Sequence, residues 1–232
     1  MAWHSAGDCS VAAIGLYERR FSESTRRAKA GVWKVLCEDF LQRYVRPEDT
    51  VLDLGAGFCE FINHIRCARK WAVDVDEELR TCAAPDVGVR CAPARDLGWL
   101  EPDSVHVVFA SNVFEHLADK DEVVAVLAEV RRVLVPGGRL LVLQPNIRFA
   151  YREYWDFFDH HLPFSHLSMI EALEGAGFRM VEVRPRFLPY TTKSRLPAWP
   201  ILVKLYLRVP LAHMVLGKQM FLVAEKPRPQ LT

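Results

Sequence analysis

Val51-Leu52-Asp53-Leu54-Gly55-Ala56-Gly57-Phe58-Cys59-Glu60, VLDLGAGFCE, decides how the rest of the chain is read. Val51 to Leu54 has the length and texture of a buried strand, and the glycines that follow break it into a turn. A glycine turn lets backbone approach a ligand with no side chain in the way. A helix after the turn would aim its unpaired N–H groups and positive dipole end at the same point. Residues 59 to 67, with Phe61, Ile62 and Ile65 inward, read as that helix. A pyrophosphate suits this geometry, and so does a carboxylate. The dinucleotide fingerprint G-x-G-x-x-G would put its third glycine where Glu60 stands. An anion there argues against pyrophosphate and for a ligand carrying a carboxylate, an amine and a ribose. Asp74 ends the next strand, about twenty residues beyond the turn's start, the spacing of an acid that accepts hydrogen bonds from ribose hydroxyls.

Working outward, Val32, Trp33, Leu36, Cys37, Phe40, Leu41 and Tyr44 recur at helical spacing. They predict an amphipathic helix over 31–45, closed by Arg46-Pro47-Glu48-Asp49. Strands are expected at 71–75, 87–91, 105–110 and 140–146, with helices at 77–84 and 120–135. Pro136-Gly137-Gly138 stops the second of these helices. A helix at 167–174 and strands at 178–183 and 219–224 complete the pattern. Strands alternating with helices argue for an α/β domain with a mostly parallel sheet covered on both faces. One domain is expected, with an N-terminal helical cap over 1–45 and an insertion or cap over 190–218.

Composition excludes several classes. The chain has 232 residues, half hydrophobic and a quarter charged, with a net charge of +1. That balance gives no electrostatic footprint for nucleic acid, and Arg19, Arg20, Arg26 and Arg27 read as a solvated helix face. Six cysteines, at 9, 37, 59, 67, 82 and 91, form no CxxC pair. They read as reduced thiols of a cytoplasmic protein. The acids and histidines show no metal-ligand spacing. MAWHSAGDCSVAAIGLYERRF lacks the pattern of a signal peptide. The most apolar stretch, LPAWPILVKLYLRVPLAHMVL at 196–216, is interrupted by Lys204, Arg208 and three prolines. No integral membrane segment is expected. The stretch reads as an amphipathic helix against the core, part of a substrate cap, with peripheral membrane contact as the alternative.

With these elements in order, VLDLGAGFCE resembles the first motif of the class I S-adenosylmethionine-dependent methyltransferases, D-L-G-x-G-x-G, with Cys59 at the last glycine. WAVDVDEEL resembles their second strand, which ends in the ribose-binding acid. DLGWLEPDSVHVVFASNVFEHL resembles the stretch D-L-P-F-…-S-F-D-V-V-…-S-N-V-L-E-H-L. EVRRVLVPGGRLLVLQPN resembles R-V-L-K-P-G-G. The resemblance spans residues 50–147, and the flanks 11–45 and 148–190 resemble bacterial carbohydrate and secondary-metabolite methyltransferases. It implies a Rossmann-like class I methyltransferase fold with a seven-stranded sheet, S-adenosyl-L-methionine as cofactor and a small-molecule acceptor. Asp53 would hold the turn near the methionine amine, and Gly55, Ala56 and Gly57 would bring backbone to the methionine and ribose. Asp74, with Val75 beside it, would take the ribose hydroxyls, and Ser111 and Asn112 would face the methionine part. Tyr17, with Phe21, would close over the cofactor. Two departures stand out. Cys59 must avoid positive φ or bear strain. The place of an adenine-binding acid is taken by Pro93-Ala94, which leaves adenine to the backbone near Ala94 and to packing.

Methyl transfer from a sulfonium is an in-line displacement, so the protein must align the nucleophile and exclude water. A hydroxyl acceptor also needs a base, and histidine suits that role. NIRFAYREYWDFFDHHLPFSH, 146–166, supplies aromatic surface and the candidates His160 and His161; His116 in VFEHL is another. The expectation is O-methylation of a small-molecule hydroxyl, on a sugar or glycosylated metabolite. The alternatives are C- or N-methylation of a polyketide or lipid-linked substrate and, more remotely, an NAD-dependent oxidoreductase or nucleotide-binding module. Oligomeric state is left open.

Overall fold

A computed structural model describes residues 23–190 and 199–229. Tyr17, Phe21, Arg19 and Arg20 lie outside the described residues. Seven strands form one sheet: β1 (Thr50–Leu54), β2 (Arg69–Asp74), β3 (Val87–Cys91), β4 (Val105–Ser111), β5 (Leu134–Pro145), β6 (Arg179–Arg184) and β7 (Gln219–Glu225). Their order is β3-β2-β1-β4-β5-β7-β6. All pairs are parallel except those of β7, which runs antiparallel to both β5 and β6. This is the expected mostly parallel sheet of the Rossmann-like class I methyltransferase fold. The helices are α1 (Glu23–Asp39), α2 (Leu79–Cys82), α3 (Lys120–Val133), α4 (Ile147–Ala150), α5 (His166–Gly175), α6 (Pro200–Arg208) and α7 (Pro210–Leu216). None among the described residues is long and apolar enough to cross a membrane.

The central strands are buried on both faces, which is why they read as unbroken apolar runs. On one face Leu52, Leu54, Val108 and Leu140 meet the apolar stripe of α3 and Met169 and Leu173 of α5. On the other, Val51, Phe109 and Leu141 meet Leu36 and Cys37 of α1 and Phe61, Ile62 and Ile65. Asp119 caps α3 by accepting from the Glu122 N–H at 2.8 Å, and acids open that helix while Arg131 and Arg132 close it.

Three expectations are corrected. The first helix begins at Glu23 and ends at Asp39, and Leu41–Tyr44 is a 3₁₀ turn. Phe40 leaves the helix to pack on Phe187 and Phe221, with ring centroids 4.3 and 5.1 Å away. Second, residues 59–64 form successive turns, and no regular helix follows the glycine turn. Cys59 sits at φ +59°, in the left-handed region that costs an L-residue roughly 1–2 kcal/mol and that a right-handed helix cannot contain. The inward residues were nevertheless right: Phe61, Ile62 and Ile65 are all buried. Third, Pro136-Gly137-Gly138 does not end α3. The chain passes from Val133 directly into β5, and Gly137 bends within that strand at φ +85°.

From β1 the chain winds outward through β2 and β3, then returns to β4 and winds the other way. The carboxyl ends of β1 and β4 therefore flank the switch point, where open α/β sheets bind ligands.

Candidate active site

The glycine turn is built around two left-handed residues, Gly55 at φ +68° and Gly57 at φ +48°. A Cβ on Gly55 would also lie 2.5 Å from Val113 Cγ2. Gly55 and Ala56 N–H groups both donate to the Val73 carbonyl, at 2.8 and 3.1 Å, so β2 holds the turn against the sheet. The Gly57 N–H donates to Asp74 Oδ2 at 2.8 Å, and Asp74 Oδ1 accepts from the Asp76 N–H at 3.0 Å. Burial raises the Asp74 carboxyl above its ordinary range against those hydrogen bonds. Asp53 lies beneath the turn. Burial lifts it well above the carboxylate range while the Ile62 N–H, which it accepts, opposes that rise. Lys29 of α1 reaches within 3.9 Å of Glu60, the residue in place of a third glycine.

Val75, 54% exposed, stands next to Asp74. The Ala92 N–H donates to the Asp74 carbonyl at 2.9 Å, which brings Pro93-Ala94 beside the end of β2. Ser111 ends β4 with a buried hydroxyl that has no hydrogen-bond partner. Asn112 follows at φ +53°, its N–H on the Leu143 carbonyl at 2.9 Å. One sheet edge thus presents bare backbone, a carboxylate for a diol, apolar surface for a base and an unsatisfied hydroxyl. That donor set fits S-adenosyl-L-methionine; Asp53, the glycine turn, Asp74, Val75, Ala94, Ser111 and Asn112 are the residues that would hold it.

Beside this arc, the loops after β4 and β5 meet. The His161 and Leu162 N–H groups donate to the Glu115 carbonyl at 2.8 and 3.2 Å. His116 Nδ1 is 2.8 Å from the Asp159 carbonyl oxygen and 3.5 Å from Asp159 Oδ2. A carbonyl only accepts, so Nδ1 donates in this contact, and in the neutral ring Nε2 then carries the lone pair. The His116 and His160 rings lie 5.0 Å apart at 75°. His160 is buried against Phe157 and Tyr154, at 5.1 and 4.7 Å. His161 is exposed and contributes backbone alone to the cluster. Of the three candidates the fold therefore gathers His116 and His160. His166, further along, is tied to Asn146 Nδ2 at 3.0 Å, and Asn146 also donates to the Pro185 carbonyl. Of the aromatics, Tyr154 is core, while Tyr151, Trp155 and Phe158 are exposed.

Glu115 is the residue sequence reasoning missed. It is fully buried, and neither carboxylate oxygen has a hydrogen-bond partner. Burial pushes its pKa up to about 7, against the pull of His116. Ligand atoms of Glu115, His116 and His160 all lie within 4.8 Å of one another, a grouping able to take a cation that the sequence spacing did not signal. The buried carboxyl has a consequence for stability. Its folded pKa is raised, so its contribution is present below the ordinary value of 4.5 and is lost as pH rises through about 7. At higher pH the folded state then bears a cost of about 3 kcal/mol. Glu115→Gln is expected to match wild type at pH 5 and exceed it at pH 8 by roughly that amount. Urea denaturation at both pH values checks this; an equal gap at the two would contradict it.

Residues 52–142 match the model of a methyltransferase domain. A demethylmenaquinone methyltransferase of Symbiobacterium thermophilum is 28% identical over 188 residues, which cover 72% of this chain and 68% of that protein. A ubiquinone/menaquinone biosynthesis C-methyltransferase of Dinoroseobacter shibae is 29% identical over 139 residues. The matched part covers 53% of this chain and about half, 54%, of that relative. Among solved structures, an S-adenosylmethionine-dependent methyltransferase from Archaeoglobus fulgidus superposes with a TM-score of 0.66 at 18% identity, covering 92% of this chain and 99% of that one.

Proposed function

We propose that this chain, a class I S-adenosyl-L-methionine-dependent methyltransferase, methylates a hydroxyl of an apolar small-molecule acceptor with His116 as the base. The observation that carries this is the 2.8 Å contact from His116 Nδ1 to the Asp159 carbonyl, which in the neutral ring assigns the lone pair to Nε2. The cofactor supplies a methyl group on a sulfonium. The glycine turn, Asp74 and Ser111 hold and orient it. His116 Nε2 takes the acceptor's proton, and the Asp159 carbonyl and carboxylate steady the imidazolium that results. Exposed Tyr151, Trp155 and Phe158 favour an apolar ring over a bare sugar as the acceptor.

The described parts of 1–45 and 190–218 act as a cap on this single domain. Two contacts support that reading: Lys204 of α6 lies 3.3 Å from Asp39 of α1, and Lys29 of α1 reaches Glu60 in the glycine turn. A second reading, C-methylation of a quinol ring, is favoured by the names of the two curated relatives. There the same base would deprotonate the quinol hydroxyl and a ring carbon would attack.

The test is to supply purified protein with the cofactor and phenols, quinols, long-chain alcohols and sugars, and to follow S-adenosylhomocysteine by mass spectrometry. NMR of the product separates an O-methyl from a C-methyl group. Turnover confined to sugars would end the apolar reading, and a C-methyl product would replace the first reading with the second.

A further inference from the structure

Two places run against the ordinary sorting of apolar side chains inward and charged ones outward. One is at the surface. There α6 buries no residue fully and α7 buries only His213, while Trp199, Ile201, Leu211 and Val215 stay exposed. This overturns the expectation that the segment over 196–216 packs against the core. The other place is inside. Glu115 is fully buried, and neither oxygen of its carboxylate has a hydrogen-bond partner. A carboxylate in that position is costly unless it is paired, hydrogen-bonded or bound to a metal ion.

Two imidazoles stand beside it. One ligand atom each from Glu115, His116 and His160 lies within 4.8 Å of the others, the one such grouping of His, Cys, Asp and Glu among the described residues. Atoms that share a tetrahedral zinc at bonds of about 2.0–2.1 Å stand about 3.3 Å apart, so a closure of at most about 1.5 Å completes the set. The two rings come from different loops, after β4 and after β5, and lie 5.0 Å apart at 75°. Both are held. His116 Nδ1 donates to the Asp159 carbonyl at 2.8 Å, with Asp159 Oδ2 at 3.5 Å. Such an outer contact orients a metal-bound imidazole, because it fixes the ring and leaves Nε2 to the ion. His160 is buried against Phe157 and Tyr154, which fix its plane.

We propose that Glu115, His116 and His160 bind a zinc ion. Imidazole nitrogens suit zinc, whereas magnesium and calcium prefer oxygen ligands. Three protein ligands leave a fourth position open. The ion gives the buried Glu115 carboxylate the partner that the folded chain does not. His116 is also the base assigned above, so the ion and the acceptor's proton compete for one lone pair. Bound zinc should therefore inhibit turnover; binding does not depend on the base assignment, and inhibition does.

Equilibrium dialysis of the full chain against zinc, with magnesium in excess, should show one bound ion per chain. Glu115→Gln and His160→Phe should each weaken that binding at least about tenfold. Phenylalanine keeps a ring in the aromatic pocket and loses both nitrogens. The affinity of each variant for S-adenosylhomocysteine should stay that of wild type, which controls for the fold. Cobalt(II) in place of zinc separates these ligands from the cysteines, because a thiolate ligand adds a charge-transfer band in the near ultraviolet. The proposal falls if the wild type binds no zinc, if either variant binds it as tightly as wild type, or if the cobalt form shows the thiolate band. Zinc that binds at these residues and raises turnover would keep the site and end the base assignment. A chain that binds no zinc would end the site and leave the base assignment standing.

Discussion

His116→Asn is expected to lower kcat by roughly 10²–10⁴, the usual worth of a positioned acid–base group. Asparagine can still donate to the Asp159 carbonyl, so the loop after β4 should keep its place and the melting temperature should change little. What disappears is the Nε2 lone pair that the 2.8 Å contact leaves free to accept a proton. The affinity for S-adenosylhomocysteine should therefore be preserved. Asp159→Asn keeps the carbonyl and loses the carboxylate 3.5 Å from Nδ1, so its effect should be smaller, about tenfold. The neighbouring carboxylate and second imidazole call for one control, because His116 also belongs to the group able to take a cation. If a chelator abolishes wild-type turnover and a divalent metal restores it, the side chain acts as a ligand and the base assignment fails.

Asp74→Ala is expected to weaken S-adenosylmethionine and S-adenosylhomocysteine by roughly 100- to 10,000-fold. A carboxylate that accepts from two ribose hydroxyls makes two charge-assisted hydrogen bonds, each worth about 1.5–3 kcal/mol. The cost to the folded protein alone should be small. The wild-type carboxylate is largely buried and its pKa is raised, so removing it relieves desolvation even as the Gly57 and Asp76 N–H groups lose their acceptor. Asp74→Asn keeps an acceptor oxygen and should fall between. Calorimetric titration of the two ligands, with melting as the fold control, reads this directly. Unchanged affinity in the alanine variant would remove Asp74 from the site. A large loss of melting temperature without ligand would mean that it mainly braces the turn.

The cofactor side was legible in the sequence because its demands are local. Positive φ at residues 55 and 57 is a backbone condition that glycine meets, and the distance from turn to Asp74 follows from one strand and one crossover. The buried strands announced themselves for a similar reason, since a strand covered on both faces has to be apolar throughout. Cys59 marks the limit of such reading. The sequence posed the alternatives of avoided or borne strain, and the fold took the second, which also denied the chain a helix after the turn.

The acceptor side depends on chain segments that meet through the sheet. Glu115 and His116 follow β4, and Asp159 and His160 follow β5. The pairing of Ser111 with Leu143 sets the two loops side by side, and nothing in either stretch encodes that register. Burial of Glu115 follows from the meeting and from no property of its neighbours in sequence. The helices over 200–216 were visible as helices, but which way they face was not, because periodicity records which side chains are apolar and not what covers them. By itself, then, the sequence determined the sheet, the glycine turn and the acid beyond it, each set by backbone sterics or short-range burial. Tertiary structure alone decided which histidine keeps a free lone pair, which carboxyl loses its water and which apolar face stays open, because each depends on what another part of the chain places against it.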